Sequence, residues 1–227
     1  QKPDLLIPVR GPVIRDPAAA IARLRQRLTD LFKEHFATDA LRWYWGDDNL
    51  RTRARGILPE GPIVWMPMGE QRALPSWVIP IQNSRLILSK TGAAYLIDCG
   101  NAKIWAEVER LRTEGKFQKL EGIFITHYHD DHTDFAQRAA EAAGVKVHYS
   151  PELKGILENP AHYHLPAMTS NPIRSGEVRT EGQRVRWHEF EFEYRFYPGQ
   201  TLYHGGLLVR RAGEDTLFFI GDSFTPS

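Results

Sequence analysis

Four side chains of the kinds that bind metal ions lie close together in this sequence: His127, His129, Asp131 and His132. In extended backbone, residues two apart point to the same side of the chain, so the imidazoles of His127 and His129 can meet at one ion. A tight turn after them would bring Asp131 and His132 alongside. Imidazole and carboxylate ligands suit Zn²⁺, Fe²⁺ or Mn²⁺. The spacing therefore predicts a metal site.

A strand, a helix and a second strand are predicted around these residues. The continuous apolar run 122–126 is typical of a strand buried on both faces. Residues 133–143 predict a helix that ends at Gly144, and residues 145–149 predict the next strand. This order indicates a βαβ unit, with the four residues directly after its first strand.

The rest of the chain falls into segments of different pattern. Apolar spacings of three and four over 16–36 predict an amphipathic helix, and the Trp-, Pro- and Gly-rich stretch 41–77 predicts an irregular packed segment. Ile104, Val108 and Leu111 predict another helix, and 151–183 is loop-like with short helical pieces. Strands are predicted from short apolar runs bounded by turn residues, at 78–81, 85–89, 93–98, 184–197, 202–210 and 216–220.

Three ordered stretches resemble one known family. The motif His127-x-His129-x-Asp131-His132 after an apolar strand is similar to the signature of the metallo-β-lactamase superfamily of metal-dependent hydrolases. Residues 95–100 resemble the strand and Asp98-containing turn that precede this motif, and residues 218–222 resemble the later strand that ends in a bridging aspartate. The resemblance covers the chain from about Pro75 onward.

The resemblance implies a set of metal ligands. His127 and His129 would bind a first metal, Asp131 and His132 a second, and Asp222 would bridge the two. At the third ligand of the first site this chain departs from the family pattern. The family's Pro-Gly-His-Thr turn has glutamine, Gln200, in place of the histidine. Either Gln200 binds through its carbonyl oxygen or His204 serves instead. We favour His204, because imidazole is the better ligand for a borderline metal.

The resemblance also implies an architecture. We expect an α/β protein with a four-layer αββα sandwich and the metal site at one edge where two sheets meet. Asp98 is expected to fix histidine tautomers or the turn of the motif. Residues 75–227 would form this domain, and residues 1–74 an N-terminal helical extension. The family's last second-site histidine lies beyond the bridging aspartate, so we expect the fold to be truncated at its C-terminus, with a missing C-terminal fragment as a possible partner.

The function implied is metal-dependent hydrolysis. A zinc-bound hydroxide would attack a small ester, thioester, lactone or lactam, and Asp131 would orient it as the catalytic residue. One or two Zn²⁺ ions are expected, with iron or manganese as alternatives. Two other functions stay open: an iron-dependent oxidoreductase on the same fold, and a catalytically impaired metal-binding module.

Composition limits the remaining classes. The 227 residues carry 29 basic and 28 acidic side chains, a formal charge of +1, so no nucleic-acid partner is expected. Cys99 is the single cysteine, which excludes an intrachain disulfide and a cysteine-based zinc finger. No run approaches the roughly 18 apolar residues of a membrane span, so a soluble protein is expected. The first residue, Gln1, leaves periplasmic, secreted and cytoplasmic locations open, and the oligomeric state is undetermined.

Overall fold

A computed structural model describes most of the chain: residues 3–7, 13–35, 46–57, 59–60 and 73–223. The chain divides into two compact units, Gln1–Ala73 and Leu74–Ser227. None of the described helices is long and apolar enough to cross a membrane.

The first unit contains two described helices. Helix α1 (Pro17–His35) is the helix predicted for 16–36, and Asp16 Oδ1 accepts a hydrogen bond from Ala19 N at 3.0 Å at its start. Helix α2 (Asp47–Ile57) lies in the stretch predicted to be irregular, and that prediction is wrong for these residues. Acidic residues in its first turn and Arg55 in its last suit the helix dipole. Three tryptophans of that stretch, Trp43, Trp45 and Trp65, lie outside the described residues, whereas Trp77 is described and buried.

The second unit contains a six-stranded sheet with strand order β1-β2-β3-β4-β5-β6. Strands β1, β2 and β3 form the predicted antiparallel meander, and β3 to β6 run parallel. The strands are β1 (Val78–Ile81), β2 (Ser84–Leu88), β3 (Ala93–Ile97), β4 (Lys119–Phe124), β5 (Val147–Tyr149) and β6 (Gly176–Val178). Strand β6 was not predicted, because its three residues contain no apolar run.

Four α-helices lie between these strands in sequence: α3 (Ala102–Thr113), α4 (Asp130–Thr133), α5 (Ala136–Ala143) and α6 (Lys154–Glu158). The helix predicted for 133–143 is present as α5 and ends at Gly144, but it begins three residues later than predicted, because the helical hydrogen bonding is interrupted between α4 and α5. Phe135 N donates to Cys99 O at 3.0 Å instead of continuing the helix, and Asp131 O accepts from Asn83 Nδ2 at 2.9 Å. Contacts with neighbouring loops thus separate the metal-ligand motif from the helix that follows it.

The second sheet is antiparallel, with the order β10-β9-β8-β7. The single strand predicted for 184–197 is in fact a hairpin that turns at His188, whose φ is +52°. Apolar Phe190 and Phe192 of its second strand are buried, and Glu191 between them points to the opposite face of the sheet. The strands are β7 (Arg184–Trp187), β8 (Phe190–Phe196), β9 (Gly205–Arg211) and β10 (Leu217–Phe219).

Two apolar clusters hold the second unit together. One lies between the sheets and includes Phe124, Phe192 and Leu207. The other packs the six-stranded sheet against its helices and includes Ile104 and Ile123. The mixed α/β class with two packed sheets, expected from the resemblance, is confirmed.

Candidate metal centre

The expected site residues are contributed by loops at one end of the two sheets. Asp98 directly follows β3, and the motif residues follow β4. His204 directly precedes β9, and Asp222 follows β10. The sheets are joined here by an isolated antiparallel bridge between His127 and His204, and Gly205 N donates to Thr126 O at 2.6 Å.

Three imidazole rings surround that of His127, which is completely buried. The ring centroids of His129 and His132 lie 4.5 and 4.2 Å from that of His127. The ring of His204 stacks on it at 4.6 Å with an interplanar angle of 8°. The structure therefore brings together all four histidines that sequence reasoning selected.

Asp98 fixes the orientation of two of these imidazoles. Its Oδ2 accepts from His132 Nδ1 at 2.7 Å and from Thr126 Oγ1 at 2.8 Å. Because the Thr126 hydroxyl proton is used in this way, its oxygen accepts from His127 Nδ1 at 3.1 Å. Both imidazoles thus carry hydrogen on Nδ1 and direct Nε2 away from the carboxylate, as histidine ligands of metals commonly do.

The group formed by His127, His132 and Asp222 fits a metal ion. One potential ligand atom of each lies within 4.8 Å of the others, and the buried His127 Nε2 has no hydrogen-bond partner. His132 Nε2 lies 3.2 Å from Asp222 Oδ1. Two ligands of a tetrahedral zinc ion are about 3.3 Å apart, given bond lengths near 2 Å. An ion bound at this group would therefore give the unpaired, buried Nε2 of His127 a partner beside the carboxylate of Asp222.

The charges in this group are strongly coupled. Burial opposes the charged form of His132, but the carboxylates of Asp98 and Asp222 outweigh it and raise its pKa to about 10. The hydrogen bond from His132 lowers the pKa of Asp222 to about 2. Burial and the neighbouring charge of His132 lower the pKa of His127 to about 2, so His127 is neutral. The site thus stabilises a positive charge next to Asp222.

Asp131 lies at the open side of the group. Its side chain is 60 % exposed, and its Oδ2 is 3.6 Å from His132 Nε2. Asn83, in the turn between β1 and β2, donates to Asp131 Oδ2 at 3.1 Å, and its Nδ2 is 3.3 Å from His132 Nε2. Sequence reasoning identified Asn83 only as a turn residue, and no local signal relates it to the motif.

His204 and Gln200 differ in what they contact. His204 Nε2 donates to Ile220 O at 2.9 Å, which leaves its lone pair on Nδ1, 3.4 Å from Ser223 Oγ. Burial lowers the pKa of His204, so it is neutral. Gln200 Nε2 lies 3.3 Å from Asp222 Oδ2. Both candidate side chains thus lie beside the group, His204 stacked on His127 and Gln200 at Asp222, and our preference for His204 stays a prediction.

A glycine allows the loops from β3 and β4 to touch. A Cβ on Gly100 would lie 1.7 Å from the carbonyl oxygen of Asp131. Cys99 N donates to His132 O at 2.8 Å at the same contact. Close backbone approach at Gly100 therefore positions the motif over Asp98.

Comparison with known proteins identifies the family. A sequence model described as the metallo-beta-lactamase superfamily matches residues 79–226, which is more than half of the chain. The chain belongs to this superfamily. A search of curated proteins found no significant match.

Solved metallo-beta-lactamases share the fold. One from Cronobacter sakazakii with a HARLDQ motif is 19% identical, with a TM-score of 0.52, over 60% of this chain and 51% of that one. FEZ-1 from Legionella gormanii is 18% identical, with a TM-score of 0.51, over 63% and 58%. MIM-1 from Novosphingobium pentaromativorans is 18% identical, with a TM-score of 0.50, over 60% and 52%. The chain thus spans about half the length of these structures, and identities this low show the fold alone.

Proposed function

We propose that this metallo-β-lactamase superfamily protein is a metal-dependent hydrolase of a small ester, thioester, lactone or lactam. The observation that carries the proposal is the buried, unpaired Nε2 of His127 beside His132 and Asp222. Superfamily membership supports the reaction class. The solved relatives are too distant in sequence for their substrates to indicate which substrate this chain takes.

We assign the metal ligands as follows. His127, His129 and His204 would hold a first ion, Asp131 and His132 a second, and Asp222 would lie between them. Zinc suits these imidazole and carboxylate ligands. Zinc bound there would supply activation of water at neutral pH and polarisation of the scissile carbonyl.

The chain's own groups would prepare this chemistry. Asp98 keeps hydrogen on Nδ1 of His132, and through Thr126 on Nδ1 of His127, so that both Nε2 atoms would be available to hold an ion. Asp131 is exposed at the open side of the group, where a substrate would approach. Its carboxylate would orient the attacking water and accept a proton from it, and the hydrogen bond from Asn83 would hold its direction.

A small carbonyl substrate is favoured over a nucleic acid. The chain carries 29 basic against 28 acidic side chains, without the basic surplus that binds phosphate backbones. Imidazole and carboxylate ligands also bind iron, and iron would redirect the proposal to oxidative chemistry.

The test is metal content measured by inductively coupled plasma mass spectrometry, before and after addition of zinc. We expect about one to two zinc ions per chain and hydrolysis of at least one member of a panel of nitrocefin, acyl thioesters, aryl esters and lactones. His127→Ala should lose both metal and hydrolysis, whereas His164→Ala, a change at an exposed histidine, should lose neither. Iron in place of zinc, or zinc-loaded protein inactive on the whole panel, would overturn the hydrolase proposal.

A further inference from the structure

A cavity of about 440 Å³ lies between the two sheets, and none of the residues that line it belongs to the metal centre. Its lining includes Lys119, the first residue of β4, and Trp187 of the β7–β8 hairpin. The metal-site loops follow the opposite end of β4. In the second sheet, β8 pairs with β9 so that Phe190 lies opposite Arg211 and Phe196 opposite Gly205, next to His204. The cavity therefore runs along the sandwich from Lys119 to His148, which pairs with Phe124 near the metal-site end of β4, and it shares no residue with the metal centre.

The cavity has a polar wall formed by a chain of hydrogen bonds. Arg179 Nη2 is 2.9 Å from His148 Nε2, His148 Nδ1 is 2.6 Å from Tyr95 Oη, and Tyr95 Oη is 3.2 Å from Tyr194 Oη. Because a guanidinium only donates, His148 Nε2 accepts and its Nδ1 donates to Tyr95. Tyr95 then donates to Tyr194. The proton of the Tyr194 hydroxyl is left without an acceptor among the described residues.

A second donor is also left over. Arg179 Nε is buried and has no hydrogen-bond partner, while Nη1 pairs with Glu177 at 2.8 Å. The other carboxylate at the cavity, Glu121, accepts from Trp187 Nε1 at 2.9 Å and lies 2.8 Å from His188 Nε2. Both carboxylates thus have partners, and the polar wall offers mainly donors. Such a wall suits a ligand that accepts hydrogen bonds and carries negative charge.

Further cations and an apolar surface complete the cavity. Lys119 and Lys146 line it, and neither forms an ion pair within the described part of the chain. Val185, Trp187 and Phe192 supply an apolar wall, with the Trp187 and Phe192 rings stacked at 5.2 Å. A ligand that fits this cavity therefore combines an anionic group with a flat apolar ring system.

Gly122 in β4 makes the polar wall possible. A Cβ there would lie 2.5 Å from Tyr95 Cε2 and 3.1 Å from His148 Cε1. Glycine weakens a strand interior and often marks a close approach by another group. Here its lack of a side chain lets Tyr95 and His148 pair across β4.

We propose that this cavity binds a small aromatic monocarboxylate. The carboxylate would accept hydrogen bonds from Arg179 and Tyr194, and the ring would stack on Trp187. The volume lies within the range of small-molecule sites. The site shares no residue with the metal centre, so its occupancy should be equal in folded zinc-loaded and folded metal-stripped protein.

The test is isothermal titration calorimetry of the whole chain with 1-naphthoate. We expect saturable one-to-one binding, weakened about tenfold or more for 1-naphthalenemethanol, which has no charge. Arg179→Gln should weaken naphthoate binding about tenfold or more, whereas Arg174→Gln, a change at an exposed arginine outside the cavity, should leave it unchanged.

Absence of saturable binding at millimolar naphthoate would overturn the proposal, as would equal affinity in folded Arg179→Gln. If Arg179→Gln loses its cooperative thermal transition, Val185→Trp replaces it, because this change fills the cavity and retains the hydrogen-bond chain. Loss of naphthoate binding in Val185→Trp supports the site, and unchanged binding overturns it.

Discussion

Replacing Asp98 by asparagine tests whether one carboxylate prepares the metal ligands. Asp98 is 1% exposed and accepts hydrogen bonds from His132 Nδ1 at 2.7 Å and from Thr126 N and Oγ1, both at 2.8 Å. Its φ is +61°, a left-handed conformation that asparagine also tolerates. Asp98→Asn therefore changes the hydrogen bonding with little change in shape.

The expected loss of zinc affinity in Asp98→Asn follows from the replacement of one acceptor oxygen by an amide group. If the asparagine oxygen accepts from Thr126 N, its amide group faces His132 Nδ1 and makes that nitrogen an acceptor. The imidazole hydrogen then moves to Nε2, which can no longer bind metal without losing it. We expect zinc affinity to fall about 10- to 100-fold, or about 1.4 to 2.8 kcal/mol. The free energy of unfolding should fall by about 2 to 3 kcal/mol, the usual worth of a hydrogen bond to a buried charge.

Zinc affinity is measured by competition with a chromophoric chelator, and stability by urea unfolding of the metal-free protein. Asp134→Asn is the matched control, because Asp134 Oδ1 accepts from Thr169 and Asn171 near the motif but contacts no imidazole among the described residues. It should leave zinc affinity unchanged. Folded Asp98→Asn protein that binds zinc as tightly as the wild type would refute the reasoning.

Three other changes test the packing and charge of the second unit. Gly100→Ala places a Cβ 1.7 Å from Asp131 O, so zinc binding should drop about tenfold or more; wild-type affinity in the chelator assay would contradict this contact. Gly122→Ala should lower the urea-derived free energy of unfolding by about 1 to 3 kcal/mol because it crowds Tyr95, and an unchanged value would count against the packing. Burial and Arg179 lower the pKa of His148 from 6.5 to about 3. Between these pH values the unfolded chain binds more protons than the folded chain, so the free energy of unfolding falls as the pH drops from about 6.5 to about 3. His148→Gln should remove about 1 kcal/mol of that loss per pH unit, measured by urea unfolding at pH 7, 6 and 5; equal slopes for both proteins would exclude His148 as the source.

Local pattern was sufficient to predict much of the second unit. The strands of the meander and the β4–β5 unit follow from short apolar runs between turn residues. The motif could be located because His127 and His129 share one side of extended backbone, and both rings do lie together. These features depend on residues close in sequence.

Features that depend on distant partners could not be predicted. Asn83 reaches Asp131 and His132 only because β1 and β2 lie beside the motif loop, and nothing near Asn83 in sequence indicates this. The break after α4 depends on Cys99 O, which lies on another loop. The choice between Gln200 and His204 depends on the backbone before β9. In the first two cases a hydrogen bond to a residue distant in sequence determines the structure, and local periodicity carries no information about it.

The proposed ligands come from both sheets, with consequences for the abundance of the protein in a cell. His132 follows β4 of the first sheet, and Asp222 follows β10 of the second. An ion shared by them would cross-link distant parts of the chain, and it would bind the folded form far better than the unfolded one. Metal scarcity would then have a second effect besides the loss of activity of individual molecules. It would increase the unfolded fraction that proteases remove, so the steady-state amount of this protein would follow the metal supply of its surroundings.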